Sequence, residues 1–327
     1  MQDNSGLTTG HPPRSAFHHS TPWQNDKHAE APSWAKNINL PTGMVLDIEG
    51  FDAEAFIRST LAEDLGQAGD ITANAVIPEE SVFSGVMATR EPIVVVGLPL
   101  AAAFFKALDP QAEIEILAKE GDFLPAGQIL LKIKGKARAL LECERSALNL
   151  CQHLSGIATM TRQYVDAIEG TGTILLDTRK TIPGLRLLEK YATRMGGAQN
   201  HRMGLDDGAM IKDNHIAVAG SVGLAVRRAT EAHIPYIIVE IDNLDQIKPA
   251  LDEGATHLLL DNMTPDTLKK AVSIVKGKVP TEASGGVQLD NIRARAESGV
   301  TYISVGRLTQ SAPAVDIGLD FSLLPSV

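Results

Sequence analysis

Two neighbouring stretches gather the side chains that could hold an anion. Leu176 to Arg186 reads LDTRKTIPGLR and Asn200 to Ile216 reads NHRMGLDDGAMIKDNHI, so Arg179, Lys180, His201, Arg202, Lys212 and His215 fall within one run of a chain whose formal net charge is -10. Planar guanidinium forks match carboxylate or phosphate oxygens bidentately, and a cationic island in an acidic chain reads as a pocket for a small polyanion. One Arg–Lys pair would be read as a solvated salt bridge. Six such groups, punctuated by glycines and short apolar runs, are not.

Two further groups extend the chemistry. Glu240 and Asp261 each end an apolar run, where they could hold a divalent ion or sugar hydroxyls and stabilise positive charge developing on a sugar carbon. Ser284, Gly285 and Gly286, then Gly306, form glycine-rich turns just past apolar runs, where free backbone N–H groups cradle phosphate. Singly these signals are weak: many loops need a glycine, and Asp261 precedes a helix whose N-terminus favours an acid. His153, on a long helical pattern, reads as a satisfied core or interface histidine, and His215 as a loop cap. Jointly the set points to a phosphosugar and a dianion in one site.

The elements that must position these residues follow from periodicity. Apolar runs at Thr173–Leu176, Ala209–Ile211, Tyr236–Val239, His257–Leu260, Thr281–Ala283 and Tyr302–Val305 alternate with helical stretches, stopped by Gly254, Gly277 and Gly299. Alternating strands and helices force parallel pairing, which gives a doubly wound layer or a (β/α) barrel. The polar residues at the run ends, Lys180, Lys212, Glu240, Asp261, Ser284 and Gly306, are spaced by 32, 28, 21, 23 and 22 residues. A barrel gathers all such strand ends on one face, whereas a doubly wound sheet converges only those at its switch point, so the barrel is favoured. Six strands predict an incomplete one.

Upstream, the pattern predicts an α+β unit: a helix from Asp52 to Leu65, strands at Val82–Ala88 and Ile93–Val96, a helix from Leu98 to Leu108, then strands at Glu113–Ala118 and Gln128–Ile133. Lys132, Lys134, Lys136 and Arg138 alternate at period two and read as a solvated strand face. Apolar residues from Leu148 to Ile168 step by three or four, predicting a long helix from Glu142 to Ile168 with Arg145 in its first turns.

Composition closes off other classes. With 327 residues the chain is long enough for two domains with sizeable cores. A sequence pI near 5.4 and 4% aromatic residues argue against a nucleic-acid binder, which needs a broad basic face and stacking rings. The longest apolar run, Pro92 to Phe105, is interrupted by Gly97 and Pro99 and too short to span a bilayer, so no membrane association is expected. Only Cys143 and Cys151 are present, two helical turns apart, and a reducing cytoplasm is the simplest fit. There is no Walker loop, GxGxxG fingerprint, GxSxG elbow or metal-ligand cysteine spacing. The first forty residues, rich in Pro, Ser, Asn and His and carrying Trp23 and Trp34, lack a sustained period and read as disordered. His11, His18, His19 and His28 there could chelate a metal, but their irregular spacing reads as adventitious binding.

Several long motifs occur in order: GDITAN at Gly69, ERSALNLCQHLSGIAT at Glu144, DTRKTIPGLR at Asp177, GGAQNHRMGLDDGAMIKDNHI at Gly196, VEIDNL at Val239, LLDNM at Leu259 and EASGG at Glu282. Together they resemble the quinolinate phosphoribosyltransferases, over roughly Met44 to Leu323. The resemblance implies an open (β/α) barrel with an N-terminal α+β sandwich, the type II phosphoribosyltransferase architecture. It implies a disordered extension over 1–42, a sandwich over 43–146, a barrel over 147–312 and a C-terminal segment, 313–327, returning to the sandwich. The implied reaction joins quinolinate to 5-phosphoribosyl-1-pyrophosphate, with loss of pyrophosphate and CO2, to give nicotinate mononucleotide for NAD synthesis, assisted by Mg2+. It also implies a homodimer or larger homo-oligomer with shared sites. Position by position, Thr178, Arg179, His201, Arg202 and Lys212 would hold quinolinate, with Arg145 supplied by the partner subunit. Lys180, Glu240, Asp261, Ser284, Gly285, Gly286, Gly306 and Arg307 would hold phosphoribosyl pyrophosphate, Glu240 and Asp261 also facing the metal. Lys212, Glu240 and Asp261 would be catalytic. The departures are mild: Asp213 stands where some members have Glu, and Met195 where others have a smaller residue. Two rivals are a paralogue of the same fold using another anionic heterocycle and a catalytically silent phosphosugar-binding barrel. The full cation set argues against the first, and Glu240 with Asp261 against the second.

Overall fold

Alternation of buried and exposed residues along β1 (Val82–Thr89) and β5 (Ile129–Lys136) makes one face of an antiparallel sheet apolar and leaves the other to solvent. On that solvated face Lys134 meets Glu113 at 3.0 Å and Lys132 meets Glu115 at 3.7 Å, both from the neighbouring β3 (Glu113–Ile116). The order of this four-stranded sheet is β12-β1-β5-β3, β12 (Ile317–Leu323) pairing antiparallel with β1 from the far end of the chain. Two residues each of β2 (Ile93–Val94) and β4 (Phe123–Leu124) make a small ribbon. These elements come from a computed structural model that describes residues 32–35, 38, 46 and 48–323.

Helices cover the apolar face. Ala53–Leu65 starts where Asp52 accepts from Ala55 N at 3.0 Å and stops at Gly66, whose φ is 49°. Leu98–Leu108 is almost wholly buried, with Phe104 and Phe105 among the largest side chains of the core. One short helix, Ile71–Val76, was not expected. Its six residues are too few to show a period, and Asp70 Oδ1, accepting from Thr72 N and Ala73 N, is its only sequence signal. Of the stretch expected to be disordered, most lies outside the described residues, including Trp23 and the four histidines. Ser33–Ala35, however, forms a 3-10 turn, and Trp34 Nε1 donates to Gly66 O at 3.1 Å.

The helix Ala137–Ala167 begins five residues earlier than expected and runs without a break across 146/147. Its first part lies in the core of the antiparallel sheet, as far as Ala158, while Tyr164 belongs to the second core. Beyond it come six parallel strands, β6 (Ile174–Leu176), β7 (Ala209–Ile211), β8 (Ile237–Ile241), β9 (His257–Asp261), β10 (Thr281–Ser284) and β11 (Tyr302–Ser304), ordered β6-β11-β10-β9-β8-β7. Successive strands add on one side and the first pairs with the last, which is the winding of a barrel. β6 and β7 do not pair, so the wall is open there. Gln199 lies along the free edge of β6, its N–H donating to Leu175 O at 2.9 Å and its carbonyl accepting from Asp177 N at 3.2 Å.

The return of the chain from barrel to sandwich depends on one close approach. A Cβ on Gly156 would overlap the Pro313 carbonyl oxygen, with Pro313 C at 3.1 Å, so the helix and the returning segment touch backbone to backbone. Gly156→Ala would gain about 1 kcal/mol of helix propensity. Overpacking against rigid backbone costs about 3 kcal/mol, so it wins. Thermal melts should show a clearly lower Tm; an unchanged or raised Tm would contradict the contact.

Candidate functional site

The strand ends of the open barrel surround a cavity of about 860 Å³. Thr178, Arg179, Lys180, His201, Arg202, Lys212, Glu240, Asp261, Ser284, Gly285, Gly286, Gly306 and Arg307 all line it. Met210, Leu259, Val287 and Val305 supply apolar wall between them. Arg145 and His215 do not line it. Arg145 is exposed on the long helix, outside this cavity of its own chain. His215 caps the helix Asp213–Ala219, its Nδ1 accepting from Lys212 N at 3.0 Å.

The cationic wall is held from behind. Asp177, fully buried just past β6, accepts from Lys190 Nζ at 2.6 Å, Thr193 Oγ1 at 2.9 Å and His201 N at 2.8 Å, and also from Asn200 Nδ2. Lys190 Nζ donates in addition to His201 O at 2.8 Å. This fixes both the Arg179–Lys180 loop and the His201–Arg202 stretch to one carboxylate. Buried Glu189 does the same for the rest of the loop, accepting from Ile182 N at 3.1 Å and meeting His153 Nε2 at 2.8 Å. His153 is thus a packing histidine.

The guanidinium groups themselves are under-partnered. Arg202 Nη1 donates to Gly208 O at 2.9 Å, but Nε of Arg202 and Nε of Arg179 are buried without a hydrogen-bond partner. Burial lowers the Arg202 pKa, and the nearby Arg179 charge lowers it further. Two desolvated cations side by side are unfavourable until an anion lies between them. His201 differs from the expected carboxylate ligand. Its Nδ1 accepts from Arg202 N at 2.8 Å and its Nε2 faces Glu282 Oε2 at 3.3 Å, so both nitrogens are engaged within the protein.

The acidic side is a compact cluster. Lys212 Nζ sits 2.7 Å from Glu240 Oε2, and oxygens of Glu240, Asp242 and Asp261 lie within 4.8 Å of one another. Burial and then the Glu240 charge raise the Asp261 pKa, opposed by Asn262 and Lys212. Asn262, at φ 51°, donates to Asp261 Oδ2 at 2.6 Å. Gly285, at φ 81°, has no room for a Cβ, which would run into Asn262 Oδ1. At Gly306 a Cβ would come 2.7 Å from Lys180 Cδ, so the lysine crosses directly over the glycine. Ser304 Oγ donates to Ser284 Oγ at 3.1 Å.

A model of the quinolinate phosphoribosyl transferase C-terminal domain matches residues 157–320 and one of the N-terminal domain residues 70–155. The chain belongs to the quinolinate phosphoribosyltransferase family. Nicotinate-nucleotide pyrophosphorylase (carboxylating) of Mycobacterium leprae is 44% identical over 284 residues, covering 85% of this chain and 100% of that one. A probable enzyme of the same name from Bacillus subtilis is 43% identical over 263 residues, covering 80% and 90%. The crystal structure of nicotinate-nucleotide pyrophosphorylase from Ehrlichia chaffeensis superposes with a TM-score of 0.80 at 42% identity, covering 84% of this chain and 100% of that one. The family fold is therefore the open barrel with its sandwich.

Sequence reasoning missed several cavity or floor residues: Asp242, Glu282, Gln310 and, behind Glu282, His257 and Tyr236. Glu282 carried the clearest signal, a charged residue inside the buried strand TEAS. Removing the amine that neutralises Asp177 leaves a buried, unpaired charge. Lys190→Ala should therefore destabilise the fold by about 3–5 kcal/mol. Urea unfolding checks this, and a loss below about 1 kcal/mol, the level of a surface pair, would show that the pair does not carry the cationic wall.

Proposed function

We infer that this chain transfers the phosphoribosyl group of 5-phosphoribosyl-1-pyrophosphate to quinolinate and removes one carboxylate, yielding nicotinate mononucleotide, pyrophosphate and CO2. The carrying observation is the pair of buried, unpartnered Nε groups of Arg179 and Arg202 in a cavity whose other wall is acidic. A diacid supplies what the cations lack, and an activated ribose what the carboxylates attract.

Quinolinate then lies with its carboxylates on Arg179, Arg202 and Lys212, beside Thr178 and His201, its ring against Met210, Leu259 and Val305. Lys180, Ser284, Gly285, Gly286, Gly306 and Arg307 take the phosphates. Glu240 and Asp261 hold the ribose hydroxyls and favour the cationic character that grows on the anomeric carbon as pyrophosphate leaves. The ring nitrogen takes the anomeric carbon, and the pyridinium so formed draws electrons from the adjacent carboxylate bond. The oxygen cluster of Glu240, Asp242 and Asp261 suits a hard cation, and Mg2+ held there would neutralise the departing pyrophosphate.

The exposed Arg145 has no role in its own cavity, which supports a homodimer or larger assembly in which it serves the neighbouring subunit. No helix among the described residues is long and apolar enough to cross a membrane, and Cys143 and Cys151 are buried and free, which supports placement in the cytoplasm.

A coupled assay with quinolinate, phosphoribosyl pyrophosphate and magnesium, with nicotinate run in parallel, should form nicotinate mononucleotide and CO2 only from quinolinate; preference for nicotinate would overturn the reading. Loss of two charge-assisted bonds should make Arg179→Ala lower kcat/KM for quinolinate about 100-fold or more while leaving Tm nearly unchanged. Mixing inactive Arg145→Ala and Lys212→Ala subunits should restore activity through one intact shared site. Heterodimers that form but stay inactive would refute the action of Arg145 across subunits.

A further inference from the structure

Barrel interiors are normally filled with branched aliphatic side chains. Here a line of polar groups runs through the interior instead. Glu282, the second residue of β10, has 0% exposure, yet it lines the cavity. Its Oε2 faces His201 Nε2 at 3.3 Å and His257 Nε2 at 2.9 Å, while Oε1 is buried without a partner. The His257 contact is a close approach of charges short of hydrogen-bond alignment. His257, the first residue of β9, stacks on Tyr302 with centroids 5.6 Å apart, and its Nδ1 lies 2.8 Å from the Tyr236 hydroxyl. Tyr236 precedes β8 and is 41% exposed. The line therefore starts at solvent beside the N-terminal ends of the strands and ends at the cavity floor.

Charge on this line is constrained. Burial alone would raise the Glu282 pKa, but the neighbouring His201 and His257 hold it down at about 2. A buried carboxylate needs a nearby cation. His201 Nδ1 already accepts from a backbone N–H, so the proton it offers Glu282 sits on Nε2. His257 is free to carry the positive charge, with Nε2–H toward Glu282 and Nδ1–H toward the Tyr236 oxygen.

Resting on the reaction assigned above, loss of CO2 breaks the bond between C2 of the ring and its carboxylate and leaves the electron pair on C2 beside the cationic nitrogen. One proton must then reach C2 inside the cavity, or the carbanion recaptures CO2. We propose that the Tyr236–His257–Glu282 line delivers this proton, with Glu282 as the group that hands it to C2. His257 gives its Nε2 proton to the Glu282 carboxylate, a half-turn of the carboxyl group brings the protonated oxygen to the place of the unpartnered one, and the new C2–H bond returns Glu282 to its anionic form. His257, left with Nδ1–H toward the Tyr236 oxygen, regains its Nε2 proton by way of Glu282 from water that enters the cavity once the product has left, and Tyr236 stabilises the charged ring. His201 holds the carboxylate in register.

The two halves of the reaction separate in a single-turnover quench experiment, using quinolinate radiolabelled in its 2-carboxylate with phosphoribosyl pyrophosphate and magnesium. Glu282→Gln should slow CO2 release about 100-fold, the low end of what a positioned acid contributes, with pyrophosphate release within about threefold of the parent enzyme and the still-carboxylated nucleotide accumulating. Tyr236→Phe, at the solvent end and outside the cavity, should slow CO2 release about tenfold with the same split, and it tests the line if Glu282→Gln fails to fold. Unchanged CO2 release in both variants, or equal slowing of both steps, overturns the proposal. If the parent enzyme forms neither product from quinolinate, the assigned reaction falls and this proposal with it.

Discussion

The site depends on one buried carboxylate. Asp177 sits at the end of the first barrel strand and binds a lysine, a threonine, an asparagine and a backbone amide, all drawn from the next 24 residues. Alone it would be a costly charge in the interior; paired with Lys190 it becomes the fixed point from which two loops hang. The barrel is open beside it, so apart from the single Gln199 bridge no strand ladder holds those loops together. What ladder hydrogen bonds do elsewhere in the wall, a charge pair does here.

That arrangement explains how like charges can be kept close without an anion between them. Arg179 and Arg202 repel one another and are partly dehydrated, and their neighbours hold only one of their several donors. The acidic cluster opposite is also strained, since burial and then the Glu240 charge raise the Asp261 pKa. Each wall is uncomfortable alone and complementary to a differently charged part of the substrates. Stability given up here is recovered in the two apolar cores behind it.

Much of this was legible in the sequence because strand ends and chemistry coincide. The six apolar runs predict the six parallel strands within a residue or two, and the polar residues that follow them all line one cavity. The illegible parts have physical reasons. Helix Ile71–Val76 is too short for a period, and the first turns of the long helix bury the small Ala137 and Ala139 beside Leu140, a weak periodic signal next to Lys136 and Arg138. His201 lay in a cationic motif, so it was counted with the ligands of the anion, although the fold turns its nitrogens toward Arg202 N and Glu282. The interior polar line joins residues of two strands and the residue just before a third. No local pattern could reveal it, only the register that sets β9 beside β10 and β8 beside β9.

The missing pairing between β6 and β7 leaves the barrel a split ring. Arg179 hangs from one lip of the split and Lys212 from the other, so their separation is set as in a caliper, by how stiffly the lips are sprung rather than by a closed circumference. The Asp177 knot and the Gln199 edge contact stiffen one lip, and the Lys212–Glu240 pair ties the other to β8. The distance between carboxylates that this protein accepts is accordingly a mechanical property of the seam.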